Sequence, residues 1–163
     1  MITQQVKQYI SDHQLLEPKS KVIIGLSGGA DSVALLDILY SLGYECICAH
    51  CNFHLREEES NRDAEFVKQI AINYNLPLES IDFDTTTYSV TKGISIEMAA
   101  RELRYNWFAE IRAKHNANAI AIAHHKDDSI ETVLLNLIRG TGIRGLTGIV
   151  ARNRYIVRPL LSI

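Results

Sequence analysis

Val22-Ile23-Ile24-Gly25-Leu26-Ser27-Gly28-Gly29-Ala30-Asp31-Ser32 is the stretch on which the reading of this chain turns. Its first half is apolar and β-branched. It then passes through a glycine turn into Val33-Ala34-Leu35-Leu36-Asp37-Ile38-Leu39, where the pattern becomes helical. A strand, a tight turn and a helix N-terminus in succession make an anion site, because backbone N–H groups converge at the turn and the helix dipole favours negative charge there. Gly28 and Gly29 allow backbone conformations closed to other residues. Ser27 and Ser32 add hydroxyl donors, and Asp31 is a candidate to hold a metal ion that bridges phosphates. The spacing G-x-x-x-x-G-K-[ST] is absent together with its lysine, so the turn is not of the kind that grips a triphosphate for attack at the γ-phosphorus. An ordinary glycine-rich turn of an α/β domain would look similar at one or two positions. All six from Ser27 to Ser32, Ala30 included, favour a nucleotide phosphate.

Length and composition set the frame. At 163 residues and 47% hydrophobic, the chain suits one well-buried α/β domain and not two. Three cysteines are an odd count, which with no secretory leader argues for a reducing, cytoplasmic setting. Met1-Ile2-Thr3-Gln4-Gln5-Val6-Lys7 has no apolar signal core, and no apolar run approaches membrane-spanning length, so no membrane association is expected. The net charge of −2 conceals an asymmetry: beyond Glu131 there is no Asp, Glu or Lys, but there are Arg139, Arg144, Arg152, Arg154 and Arg158. Such a split points to a polyanionic partner near that end, although a solvated arginine face has the same composition.

Apolar runs alternate with amphipathic stretches along the chain. Helices are expected over 3–16, 31–42, 57–75, 95–115 and 127–139, and strands over 21–27, 44–52, 78–83 and 119–123. Strands separated by helices imply a parallel sheet covered on both faces. Residues 84–94, with four threonines, Tyr88 and Gly93, read as a polar loop long enough to be a lid, or as a passive surface loop.

Open parallel sheets bind ligands beyond the carboxyl ends of their strands. Three polar clusters fall there: Ser27 to Ser32, His50-Cys51-Asn52-Phe53-His54-Leu55-Arg56, and His124-His125-Lys126-Asp127-Asp128-Ser129-Ile130-Glu131-Thr132. In the last, Asp128 and Glu131 are three residues apart at a helix start, so both carboxylates project from one face. That suits an ammonium group or a magnesium ion. The same spacing also fits a capping box. His124 and His125 are candidate bases near neutral pH.

Further blocks make the chain similar to a known family. Ser27-Gly28-Gly29-Ala30-Asp31-Ser32 resembles the pyrophosphate-binding loop of ATP pyrophosphatases, which split ATP into AMP and pyrophosphate. Ala99-Ala100-Arg101-Glu102-Leu103-Arg104-Tyr105, the His124–Thr132 cluster, Arg139-Gly140-Thr141-Gly142-Ile143-Arg144-Gly145-Leu146 and Arg158-Pro159-Leu160-Leu161 follow in order. Together they resemble the tRNA(Ile)-lysidine synthetases, also described as MesJ-type cell-cycle proteins, over residues 20–162.

The resemblance implies a parallel five-stranded sheet flanked by helices, of the adenine nucleotide alpha hydrolase-like fold. It implies that residues 1–163 are a single N-terminal ATP-pyrophosphatase domain, without the family's C-terminal tRNA-binding domains. It implies a ligase that uses ATP and Mg2+ to adenylate carbon-2 of the wobble cytidine in tRNA(Ile) with a CAU anticodon. Free L-lysine then displaces AMP to leave lysidine. On this carry-over Ser27, Gly28, Gly29, Ala30, Asp31 and Ser32 hold ATP, with Asp31 on magnesium. Arg101 and Arg104 neutralise the α-phosphate, Asp128 and Glu131 receive lysine, and Arg139 and Arg144 approach the tRNA. The family pattern H-x-N-H-x-L-R is broken here, because Phe53 stands where a histidine is usual and His54 comes one residue later. The glycine that usually follows is Glu57.

Cys48-Ala49-His50-Cys51 is a C-x-x-C, and related pyrophosphatase-loop enzymes thiolate tRNA through cysteine pairs. Thiolation is therefore the rival chemistry, and a non-catalytic nucleotide-binding module the rival class. Cys46 and Cys48 share a strand face and read as small buried apolar residues.

Overall fold

The computed structural model describes residues 1–124 and 150–163. The helix expected over 127–139 lies outside them, as do His125, Asp128, Glu131, Arg139 and Arg144. The described elements are α1 (Ile2–Asp12), β1 (Lys21–Gly25), α2 (Ala30–Ser41), β2 (Glu45–Asn52), α3 (Glu57–Tyr74), β3 (Leu78–Asp82), α4 (Thr85–Lys92), α5 (Ile96–His115), β4 (Ala119–Ala121), β5 (Arg152–Asn153) and β6 (Ile156–Val157).

The strands form one sheet in the order β3-β2-β1-β4-β6-β5. Five of them run parallel, and β5 adds a short antiparallel edge beside β6. From β1 the chain builds outward to β2 and β3 on one side, then returns to place β4 on the other. The connections leaving β1 and β4 therefore diverge, and a crevice opens above their carboxyl ends.

The strands alternate their side chains between two cores, because successive Cβ atoms point to opposite faces. Val22, Ile24, Leu26, Cys46 and Cys48 pack with Val6 and Ile10 of α1, Leu35, Leu36 and Leu39 of α2, and Val67 of α3. Ile23, Ile47 and Ala49 pack on the other face with Trp107, Phe108 and Ile111 of α5. Burial on both faces explains why β1 reads as a continuous apolar run without alternation.

Residues 84–94 are not a loop. Asp84 caps α4, its carboxylate accepting from the Thr87 N–H at 3.2 Å and from the Thr87 hydroxyl at 2.8 Å. Gly93 ends the helix in a left-handed conformation, φ 66°. Thr85 is buried and donates to the Phe53 carbonyl at 2.9 Å, while Tyr88 donates to Glu102 of α5 at 3.0 Å. Two caps and these tertiary bonds outweigh the low helix propensity of threonine. No helix among the described residues is long and apolar enough to cross a membrane.

Candidate functional site

A cavity of about 520 Å³ opens at the carboxyl ends of β1, β2 and β4. Its wall takes Ser27, Gly29, Ala30, Asp31 and Ser32 from the first turn, His50 to Phe53 from the end of β2 and Ile122 to His124 from beyond β4. Leu55 and Arg56 of the second turn, Ser60 and Asp63 of α3, and Arg104 and Phe108 of α5 also line it. The volume lies within the range of small-molecule sites.

The first turn is braced by its own hydroxyls. The Ser27 N–H donates to Ser32 Oγ at 3.2 Å, the Gly29 N–H donates to Ser27 Oγ at 3.2 Å, and the Ser32 hydroxyl donates to the Gly29 carbonyl at 2.9 Å. Ser32 is buried and holds the turn's shape, whereas Ser27 is exposed at its rim. Gly28 sits at φ 96°, and a Cβ there would also lie 3.0 Å from Asp63. Glycine is thus required twice over, by backbone conformation and by the close approach of α3. At Gly25 a Cβ would stand 3.2 Å from Phe108 and Ile122, so this glycine sets the depth of the cavity floor. Gly29 caps α2, whose first N–H groups have no partner within the helix.

This cradle fits phosphate oxygens. Asp31 lies in the first turn of α2 and, like Asp63, in the cavity wall. Among the described residues there is no group of three or more His, Cys, Asp and Glu suited to holding a metal. One or two carboxylates completed by phosphate oxygens and water are what magnesium takes in nucleotide sites.

Arg101 and Arg104 both lie against the Tyr105 ring, 5.4 and 4.9 Å from its centroid. Only Arg104 reaches the cavity wall, and its buried Nε has no hydrogen-bond partner. Arg101 is exposed. Among the described residues neither arginine makes an ion pair with Glu97 or Glu102, so i,i+3 spacing placed them on one ring but not in one site.

His50 stands inside β2, not after it. It is buried, its Nδ1 lies 2.7 Å from the Leu26 carbonyl, and its Nε2 has no partner. His124 sits in the wall, and Arg158 Nε donates to its Nδ1 at 3.0 Å. Arg158 itself is 6% exposed, so it belongs to the interior and not to a solvated arginine face. His54 takes φ 53° and pairs with Asp82 at 2.8 Å, away from the cavity wall. Phe53, by contrast, lines the cavity and stacks on Phe83 at 5.7 Å. His50 belongs to the cluster expected at the end of β2, whereas Asp63 and Phe108 escape the sequence reading, since nothing local marks a helix residue that a distant turn will approach.

The C-x-x-C reading fails on geometry. Cys48 packs in the core beneath α2, and Cys51 packs against the core beneath α5, on the opposite face of the sheet. All three cysteines are free. Burial pushes the thiols of Cys46, Cys48 and Cys51 up to about 12, about 11 and about 12, the last against a lowering pull from Arg104. At neutral pH they are protonated, which suits neither a metal ligand nor a nucleophile.

Comparison with known proteins agrees with this geometry. The PP-loop domain family model matches residues 1–163. A tRNA(Ile)-lysidine synthase of Bacteroides thetaiotaomicron is 60% identical over 163 residues, which are 100% of this chain and 38% of that protein. One of Parabacteroides distasonis is 57% identical over 97% of this chain and 36% of its own length. The chain thus spans little more than a third of these curated relatives. Among solved structures, the U34-tRNA thiolase NcsA of Methanococcus maripaludis with its [4Fe-4S] cluster superposes with a TM-score of 0.76. That likeness covers 99% of this chain and 59% of the thiolase at 17% identity, and it speaks for the fold alone. With a lysine-free Ser-Gly-Gly-Ala-Asp-Ser turn at the switch point of a parallel sheet, and a family model matched from end to end, the chain belongs to the PP-loop domain family.

Proposed function

We propose that the intact protein carrying this domain ligates lysine to carbon-2 of the wobble cytidine of a CAU-anticodon tRNA(Ile). In the first step the cytidine carbon-2 oxygen attacks the α-phosphorus of ATP and pyrophosphate leaves. In the second the ε-amine of lysine attacks carbon-2, the C–N bond forms, AMP leaves with the oxygen, and the amine loses its proton. The observation that carries the reading is 60% identity to a tRNA(Ile)-lysidine synthase along the whole chain.

The residues have separable tasks in this scheme. The Ser27–Ser32 turn holds the departing pyrophosphate with its N–H groups, and Ser32 keeps the turn in shape. Arg104 offsets the charge that builds on the α-phosphate, and Arg101 steadies it through their shared contact with Tyr105. Asp31 would hold magnesium, which when bound offsets charge on the phosphates. Asp128 and Glu131 would take the amino groups of lysine, and Arg139 and Arg144 the tRNA backbone. Residues 1–163 would form one N-terminal domain, with the tRNA gripped partly by regions beyond it. ATP, free lysine and tRNA meet in the cytoplasm, where we place the reaction.

Pyrophosphate release by the intact protein tests the reading. Release should require both lysine and unmodified tRNA(Ile), and a methionine tRNA with the same CAU anticodon should support little. Release indifferent to lysine would sink it.

A further inference from the structure

A buried ring of β2 ties the Ser27–Ser32 turn to the sheet. One residue past β1, the Leu26 N–H donates to the Ala49 carbonyl at 2.8 Å, and the Leu26 carbonyl lies 2.7 Å from His50 Nδ1. A carbonyl only accepts, so Nδ1 carries a proton and donates it. Two consecutive residues of β2 thus hold both polar groups of the Leu26 backbone. The Leu26 carbonyl and the Ser27 N–H belong to one planar trans peptide and point in opposite directions. Holding the carbonyl therefore aims the N–H, which donates to Ser32 Oγ at 3.2 Å. The Ser32 hydroxyl donates in turn to the carbonyl of Gly29, the N-cap of α2, at 2.9 Å. A continuous chain of donors and acceptors runs from β2 to the helix N-terminus in the cavity wall.

The other ring nitrogen bears on what the ring is for. His50 is 3% exposed, and its Nε2 is buried with no hydrogen-bond partner. A buried unpaired nitrogen costs stability, which an apolar side chain of similar size avoids. Nδ1 is the ring's polar tie to the fold, and that tie ends at the turn. The turn's own hydroxyls set its shape, whereas His50 sets how that shape is aimed from the sheet.

We propose that His50 is a positioning residue: its Nδ1–H, acting through the Leu26–Ser27 peptide and Ser32, presets the N–H groups of the turn for the phosphates of ATP. The proposal rests on the nucleotide reading of the cavity and not on the identity of the acceptor.

Three substitutions in the intact protein separate the donor from the bulk of the ring. His50→Asn keeps an N–H donor on a nitrogen bonded to Cγ, as Nδ1 is. His50→Gln moves the donor one bond further out, and His50→Leu removes it. With each variant shown to be folded by its urea transition, ATP binding is measured by calorimetry in the presence of magnesium. Affinity should stay within about threefold in His50→Asn and fall by about tenfold or more in the other two, as loss of a buried hydrogen bond at the turn implies. Equal affinities in His50→Asn and His50→Leu overturn the proposal. The Ser27 amide signal in NMR is a second readout: it should move in His50→Leu and return toward its original position in His50→Asn. A Ser27 signal unmoved in His50→Leu overturns the link through the peptide. The unaltered protein supplies a third, since two-bond proton–nitrogen NMR should show a protonated His50 Nδ1, and an unprotonated one overturns the proposal. If the unaltered protein binds neither ATP nor inorganic pyrophosphate, the nucleotide reading falls and this proposal with it. If ATP binds as described but pyrophosphate release ignores lysine, only the acceptor reading falls.

Discussion

After β1 the chain turns on hydroxyls of its own residues, with Ser27 and Ser32 five positions apart. After β2 a local bond, the His54 N–H donating to Asn52 Oδ1 at 3.0 Å, is joined by distant partners: His54 meets Asp82, 28 positions away, and the Phe53 carbonyl meets Thr85, 32 positions away. The first turn uses glycine for its left-handed residue, at Gly28. The second uses His54 at φ 53° and Glu57 at φ 32°, where side chains are strained. Both turns border one cavity, but the side-chain bonds of the first stay within six residues, while the second combines local bonds with bonds to distant elements. A turn proposed to present N–H groups to phosphate gains from a shape held largely by its own residues. A turn that offers an aromatic wall through Phe53 is free to borrow its shape from β3 and α4.

The contrast can be broken most forcibly at Gly28. Gly28→Ala meets both the positive φ and Asp63, so ATP affinity should drop by a hundredfold or more in calorimetry. Survival of binding would mean that the turn adapts and is not preset. Ser32→Ala removes the donor to Gly29 and the acceptor for the Ser27 N–H in a buried setting. It should cost about 1–3 kcal/mol in urea unfolding and weaken ATP further than that loss of stability explains. Thr85→Val removes the tertiary bond to the second turn at nearly constant volume, with an expected cost of about 1 kcal/mol and little change in ATP affinity.

Of the two turns, acid should act on the support of the second. The hydrogen bonds from Thr87 hold the Asp84 carboxyl below its usual range. A depressed carboxyl adds stability above its unfolded value, and that contribution is lost as pH falls through the folded one. Hydrogen exchange at the α4 amides should therefore quicken at low pH, and should do so less in Asp84→Asn. Smallest of all is His54→Gly. It gives up an exposed ion pair worth about 0–1 kcal/mol and relieves a left-handed side chain costing about 1–2 kcal/mol. Its unfolding midpoint should hardly move, and a large loss would mean that the His54–Asp82 pair organises the turn.

Much of this protein is set by information that lies close together along the chain. The order of strands and helices follows from hydrophobic period, which is local. The Ser27–Ser32 turn follows from glycine and hydroxyl chemistry within six residues. Ser95 and Asn116 bound α5 where the pattern stops, because a cap acts on the neighbouring turn. Other features needed the chain folded back on itself. Helix α4 depends on Asp84, Gly93 and contacts with α5 that outweigh its threonines. Strands β5 and β6, two residues each, are strands only because β4 and each other offer partners. Sheet pleat separates Cys48 from Cys51, helix rotation brings Arg104 and not Arg101 to the cavity, and burial turns Arg158 from a surface charge into a partner of His124. Asp63 meets Gly28 across the gap between two helices, a contact no local pattern encodes. Side-chain direction and burial depend on what packs against an element, and only the tertiary structure supplies that neighbour.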